Sequence, residues 1–192
     1  MRPLKVRWLA QTDISVAEDD HLLQLLRDSG CFMLFIGFES VSRESLRTVD
    51  PRGFKIKRFE RYSEYISKIQ SLGIGVLGAF VLGFDTDDLS VFEKTSRFIT
   101  DTYMYASQIT VLTPLPGTRL REQLERENRL LDYGWDHFGF LDVNFMPKQM
   151  TPQQLQDGLG SVYRSVYGRE NVSRTLRHFK EIYKTMGDGQ SI

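Results

Sequence analysis

Between Val6 and Glu127 the chain alternates short apolar runs with longer amphipathic stretches, and this alternation narrows its possible folds more than any other feature. Val6–Ala10 (VRWLA), Cys31–Phe38, Gly75–Phe84 (GVLGAFVLGF) and Gln108–Leu112 read as strands. Ile14–Asp28, Lys57–Leu72, Leu89–Met104 and Leu120–Glu127 read as helices, with a short one over Ser42–Val49. In Lys57–Leu72 the residues Phe59, Tyr62, Tyr65, Ile66 and Ile69 stand at helical spacing. Strand, helix, strand in that rhythm is the βαβ pattern of a parallel sheet with its crossovers outside. Each strand ends in polar or Gly/Pro chemistry: Gln11-Thr12-Asp13, Glu39-Ser40, Gly83-Phe84-Asp85 and Thr113-Pro114. In a parallel sheet these tips share one edge, the edge at which α/β folds hold ligands.

The 192 residues suffice for one domain with a core, or one domain plus a small appendage. Twenty-five basic and 25 acidic residues give zero formal charge, which argues against a basic nucleic-acid face. No apolar run approaches the roughly 20 residues of a membrane helix. The start, MRPLKVRWLAQTD, lacks the pattern of a signal peptide. One cysteine allows neither an internal disulfide nor a cysteine-only metal site, so a reducing cytoplasm is the expected compartment. The expected organisation is a sheet unit over residues 1–128 and an extension over 129–192. In the latter, Leu131–Met150 is irregular and rich in aromatics, Thr151-Pro152-Gln153-Gln154 starts a helix over Leu155–Tyr167, and Asn171–Met186 forms the last helix.

The ordered set WLAQ, SGC, LFIGFES, GVLGAFVLGFD and ITVLTPLPGT resembles the radical S-adenosylmethionine (SAM) enzymes, in particular the subgroup with an upstream cobalamin-binding domain. NFMPKQMT, followed by a helix containing VYRSVY, resembles that subgroup's C-terminal extension, so the resemblance runs from about Trp8 to Tyr183. It implies an α/β fold, a partial TIM-like β/α barrel of about four parallel strands with outer helices and a C-terminal helical extension. The departure is large. The family holds a 4Fe–4S cluster on a CxxxCxxC loop, whereas the cysteine here, Cys31, lies before the second strand in no such motif. The expectation is a truncated chain that keeps the later barrel strands, lacks the cluster loop and the cobalamin domain, and is inert alone.

Residue by residue, the resemblance assigns Glu39 and Ser40 to the SAM ribose or methionyl group. It assigns Gly78, Phe80 and Gly83 to a glycine-spaced segment near the adenine, and Leu112, Thr113 and Pro114 to backbone contacts with it. Gly37 allows a close approach. Gln11 faces the pocket, and Arg43, Arg52 or Lys55 can pair with the SAM carboxylate. Each has a plainer reading: Ser40 or Ser42 as a helix cap, the glycines and Phe80 as strand packing, Pro114 as a rigid exit, Gln11 and the cations as solvated surface. No catalytic residue is singled out. His21, His137 and His178 lack metal-ligand spacing, and Cys31 reads as a buried, inert thiol. The Trp135–Phe145 aromatics read as a small core or an interface.

Two other readings stay open. Asp13, Glu39 and Asp85 at strand ends suit a divalent cation in a free-standing α/β enzyme. Alternatively, exposed sheet edges suit a non-catalytic module that pairs with another copy of itself. The expected partners are a small-molecule substrate and a second copy of the chain, with neither nucleic acid nor membrane.

Overall fold

The computed structural model describes residues 4–135 and 138–187. Four strands, β1 (Trp8–Thr12), β2 (Cys31–Glu39), β3 (Gly75–Leu82) and β4 (Ala106–Val111), form one parallel sheet in the order β1-β2-β3-β4. The crossovers carry α1 (Asp20–Asp28), α2 (Arg43–Val49), α3 (Tyr62–Ser71) and α4 (Ser90–Asp101). After β4 come α5 (Arg119–Arg126), an irregular stretch pinned by an antiparallel bridge between Leu130 and Phe145, then α6 (Pro152–Val166) and α7 (Arg169–Thr185). This is the α/β architecture, with a C-terminal helical part, that the alternation predicts.

The sheet is covered on one side. Leu34, Ile36 and Phe38 of β2, Val76, Phe80 and Leu82 of β3, and Ile109 and Val111 of β4 are buried. Their face meets α3 and α4: the Phe38 and Phe80 rings stack at 5.5 Å, with Tyr62 and Phe98 edge-on to Phe38. The alternate residues point the other way and keep solvent contact. They are Leu9 and Gln11, Met33, Phe35, Gly37 and Glu39, Leu77, Ala79 and Val81, and Gln108 and Thr110. Register aligns them across the strands, with Gln11 opposite Phe35 and Phe35 opposite Leu77.

The two edges differ. At β4 the outward backbone groups are occupied by α6 and the irregular stretch. The Tyr163 hydroxyl donates to the Ile109 carbonyl (2.8 Å). The Tyr167 hydroxyl donates to the Ser107 carbonyl (2.5 Å) and accepts from the Ser107 N–H (3.0 Å). The Val111 N–H donates to the Phe140 carbonyl (2.8 Å). Among the described residues β1 pairs with β2 alone.

Several boundaries move from expectation. β1 starts two residues later than Val6–Ala10 predicts, because pairing begins where the Trp8 N–H reaches the Gly30 carbonyl and its indole N–H reaches that of Ser29 (2.9 Å). The single helix expected over Ile14–Asp28 is split. Asp13 caps a 3-10 turn over Ile14–Glu18, and Asp19 then caps α1 by accepting from the Leu22 N–H (2.8 Å). Short acidic side chains compete for backbone N–H groups in this way. Lys57–Leu72 likewise divides into a 3-10 turn over Ile56–Arg61 and α3. β3 stops at Leu82, since Gly83 takes φ +98° and leaves the extended region. Cys31 is buried, and burial pushes its thiol pKa up against a weak bond to the Met33 carbonyl.

Candidate functional site

The β2 tip has the most unusual backbone in the sheet. Glu39 takes φ +67°, a left-handed value that side chains other than glycine seldom adopt. The Ser40 N–H bonds the Phe38 carbonyl (2.9 Å), closing a three-residue turn centred on Glu39. The pairing with β3 slips at the same point. Such a conformation costs about 1–3 kcal/mol and persists where its surroundings impose it. Lys55 is the main imposing contact. Its ammonium donates to the Gly37 carbonyl and lies 3.3 Å from the Glu39 carboxylate, while its N–H is held by Asp50 (2.5 Å). Gly37 makes the room: a Cβ there would sit 2.5 Å from the Glu39 Oε1 atom. The uncovered sheet face therefore ends in a carboxylate and an ammonium, each partly exposed.

The other tips are engaged differently. Gln11 is exposed on the same face, whereas Asp13 accepts from the Ser15 N–H (2.8 Å). Ser40 is buried and accepts from the Ser42 N–H (3.0 Å), with Ser42 capping α2. Beyond β3, the Gly83 and Phe84 N–H groups both donate to Asp87 Oδ2 (2.9 and 3.0 Å), and Ser45 of α2 donates to Oδ1 (2.6 Å). Asp85 is clamped by Arg129 through two bonds (2.6 and 3.2 Å) and by Lys148 (2.9 Å). Glu127 shares Arg129 at 2.7 Å. Burial pulls the Asp85 pKa upward, but the two cations outweigh it and hold the carboxyl below its ordinary range. Past β4, the Leu112 N–H extends the ladder to Leu82, and the Leu115 N–H closes a turn on Thr113 (2.9 Å).

Of the sequence-derived candidates, Gln11, Gly37 and Glu39 share the uncovered face, and Leu112 and Thr113 lie partly exposed at the β4 tip, with Pro114 buried beside them. Gly78 and Phe80 point to the helix side. Phe80 is 1% exposed, and a Cβ on Gly78 would meet Met104. Gly83 packs against Leu155 and Phe145. Of the three cations considered, Lys55 reaches the site, Arg43 pairs with Glu60, and Arg52 is exposed in the following loop. Asp13, Glu39 and Asp85 have separate partners, and no group of three His, Cys, Asp or Glu suited to a metal forms among the described residues. His21 is exposed, His178 stacks on Tyr103, and His137 lies outside the described residues. In the Trp135–Phe145 stretch, Phe145 is buried while Trp135 and Phe140 are exposed. Asp87, Arg129 and Lys148 were not singled out in the sequence. Within the run GFDTDD nothing local tells which acid is buried.

Fold and site together define an α/β chain whose one-sided parallel sheet ends, at its carboxyl edge, in a strained carboxylate turn. A family model described as a domain of unknown function (DUF4070) matches residues 118–191, the part that covers β4's edge and clamps Asp85. The chain is distantly related to methyltransferases and to a cyclase. It is 28% identical over 92% of its length to a bacteriochlorophyllide d C-12(1)-methyltransferase of Chlorobaculum tepidum, of which it spans 38%. It is 26% identical over 88% of its length to an uncharacterized methyltransferase of Pyrococcus horikoshii, spanning 36%. It is also 26% identical over 92% of its length to an anaerobic magnesium-protoporphyrin IX monomethyl ester cyclase of Cereibacter sphaeroides, spanning 28%. The chain thus spans less than two-fifths of the curated relatives it matches.

Proposed function

We propose that these residues form the later strands of a radical SAM enzyme's barrel, giving part of the SAM pocket and, through the extension, part of the substrate wall. The observation that carries the reading is the uncovered sheet face ending at Gly37 and Glu39. A one-sided parallel sheet with a strained acid at its ligand edge suits the inner wall of a β/α barrel better than a finished surface. Relatedness to methyltransferases supports a methyl-transfer task, and two relatives named for a bacteriochlorophyllide and a protoporphyrin ester support a small-molecule substrate.

The residues fit SAM in part. Gly37, lacking a Cβ, leaves the room in which the Glu39 carboxylate lies beside Lys55; Glu39 accepts from ribose hydroxyls or an ammonium, and Lys55 offers a counter-charge. Gln11 and the backbone of Leu112–Pro114 flank them. Bound there, SAM supplies the transferable methyl and the adenosyl group. They do not fit a 4Fe–4S cluster, which needs several thiolates, because the one cysteine, Cys31, is buried at the start of β2, the end of the strand away from Glu39. In this reading the cluster, and a cobalamin that passes on the methyl, are held by other residues, and the chain by itself has no turnover.

The test is SAM binding followed by ligand-observed NMR. Glu39→Gln is expected to weaken it about ten- to a hundredfold, as loss of a charge-assisted contact does. Binding that Glu39→Gln leaves untouched, or deoxyadenosine formed by the isolated chain, would overturn the proposal.

A further inference from the structure

Beside the β4 tip lies a cavity of about 370 Å³ that the SAM reading does not use. Among the described residues, Leu130, Leu131, Trp135 and Phe138 line it, with Arg121 of α5 and Asp132 as charged groups. That volume falls in the range of small-molecule pockets. Trp135 is 69% exposed, although folding alone would favour burying so large a ring. Its ring lies 5.3 Å from that of Phe138 at a tilt of 57°, and the Arg121 guanidinium stands over both, at 5.8 and 5.6 Å. Arg121 is oriented from two sides. Its Nε donates to Glu125 (2.8 Å) and its Nη1 reaches the Pro114 carbonyl (3.5 Å), which ties the cavity to the strand tip. Among the described residues its Nη2 makes no bond, so the fork keeps donors for a carboxylate.

We infer that this cavity binds a flat conjugated ring bearing a carboxylate, with Trp135 and Phe138 against the ring and Arg121 on the carboxylate. Arg121 is then a specificity-determining residue of the substrate wall, and Asp132 at the rim disfavours a second negative charge. The inference rests on the function proposed above only for what the cavity serves; binding itself requires no SAM.

The experiment titrates the chain with 2-naphthoate and with its neutral counterpart 2-naphthylmethanol, reading tryptophan fluorescence without SAM. Quenching by naphthoate is expected, stronger than by the alcohol, and absent in Trp135→Phe. Arg121→Gln should weaken naphthoate about ten- to a hundredfold and the alcohol little. Asp132→Asn should tighten naphthoate, a gain that a damaged fold does not produce. Equal affinity for acid and alcohol, quenching that survives Trp135→Phe, or none at millimolar probe overturns the inference. Failure of the SAM test with naphthoate binding intact would sink the radical SAM reading alone.

Discussion

Asp85 and Asp87 stand two residues apart and are driven in opposite directions. Asp87 is 2% exposed, and burial raises its pKa despite the Ser45 hydroxyl and the Gly83 and Phe84 N–H groups it accepts from. Asp85 is lowered by Arg129 and Lys148 in spite of burial. The linkage signs follow. From the ordinary value of 3.8 up to the raised value, folded Asp87 binds more protons than the unfolded chain, so its contribution declines as pH rises. Asp85 contributes above 3.8 and loses that contribution as pH falls through its lower folded value. Asp87→Asn keeps an acceptor for the two N–H groups and a donor for Ser45, so it should cost at most about 1 kcal/mol and abolish the Asp87 slope. Asp87→Ala strands the buried Gly83 and Phe84 N–H groups, while the Ser45 hydroxyl keeps Thr86 (2.8 Å), and should cost about 2–4 kcal/mol. Asp85→Asn should destabilise at neutral pH and converge with wild type in acid. Urea unfolding from about pH 3 to 8 reads all three.

At the scale of elements, α6 shows why some of the fold is legible in a sequence and some is not. Its start is local chemistry. Thr151 accepts from the Gln154 N–H, Gln154 accepts in return from the Thr151 N–H, and Pro152 takes a first-turn position, so TPQQ suffices to place it. Its work is tertiary. Gly158 lies against Phe92, where a Cβ would come within 2.2 Å of the ring, and Tyr163 and Tyr167 put their hydroxyls on β4. Helical spacing puts Tyr163 on one side of the helix with Leu159, Val162 and Val166; nothing local shows that its hydroxyl ends a sheet. The same limit explains the strand tips. β3 is apolar throughout, so it has no period-two signal to say which residues face the helices, and Gly78 and Phe80 could not be told from Ala79 and Val81. Tyr167→Phe leaves the Ser107 N–H and carbonyl without partners and should cost about 1–3 kcal/mol; Tyr163→Phe removes one bond and should cost about 1 kcal/mol. Thermal unfolding measures both, and equal small effects would mean that β4's edge is satisfied some other way.

For the molecule as a whole, the asymmetry of the sheet decides how it behaves in solution. One edge is sealed by α6, one face by α3 and α4. The uncovered face presents Leu9, Met33, Phe35, Leu77, Ala79 and Val81 with solvent contact, and it runs into the edge of β1 that is unpaired among the described residues, where Leu9 is 53% and Val6 42% exposed. On α1, Leu22 and Leu25 are 39% and 44% exposed, an apolar stripe beyond what the sheet covers. Continuous apolar surface beside a row of free strand N–H and C=O groups invites another strand. On the barrel-wall reading proposed above, that strand belongs to another β/α unit. For the chain alone, a second copy is the available partner, and self-association is expected. Leu9→Lys places a charge on both the free edge and the open face. Since Leu9 contributes little burial, the substitution should leave the unfolding midpoint within about 0.5 kcal/mol of wild type, while the mass measured by light scattering shifts toward one chain. Val172→Lys on α7, 37% exposed and outside the sheet, should leave the mass as it was. A wild-type chain that stays monomeric, or association that Leu9→Lys does not relieve, would mean that this face is stable against water as it stands, and the barrel-wall reading proposed above would lose its physical support.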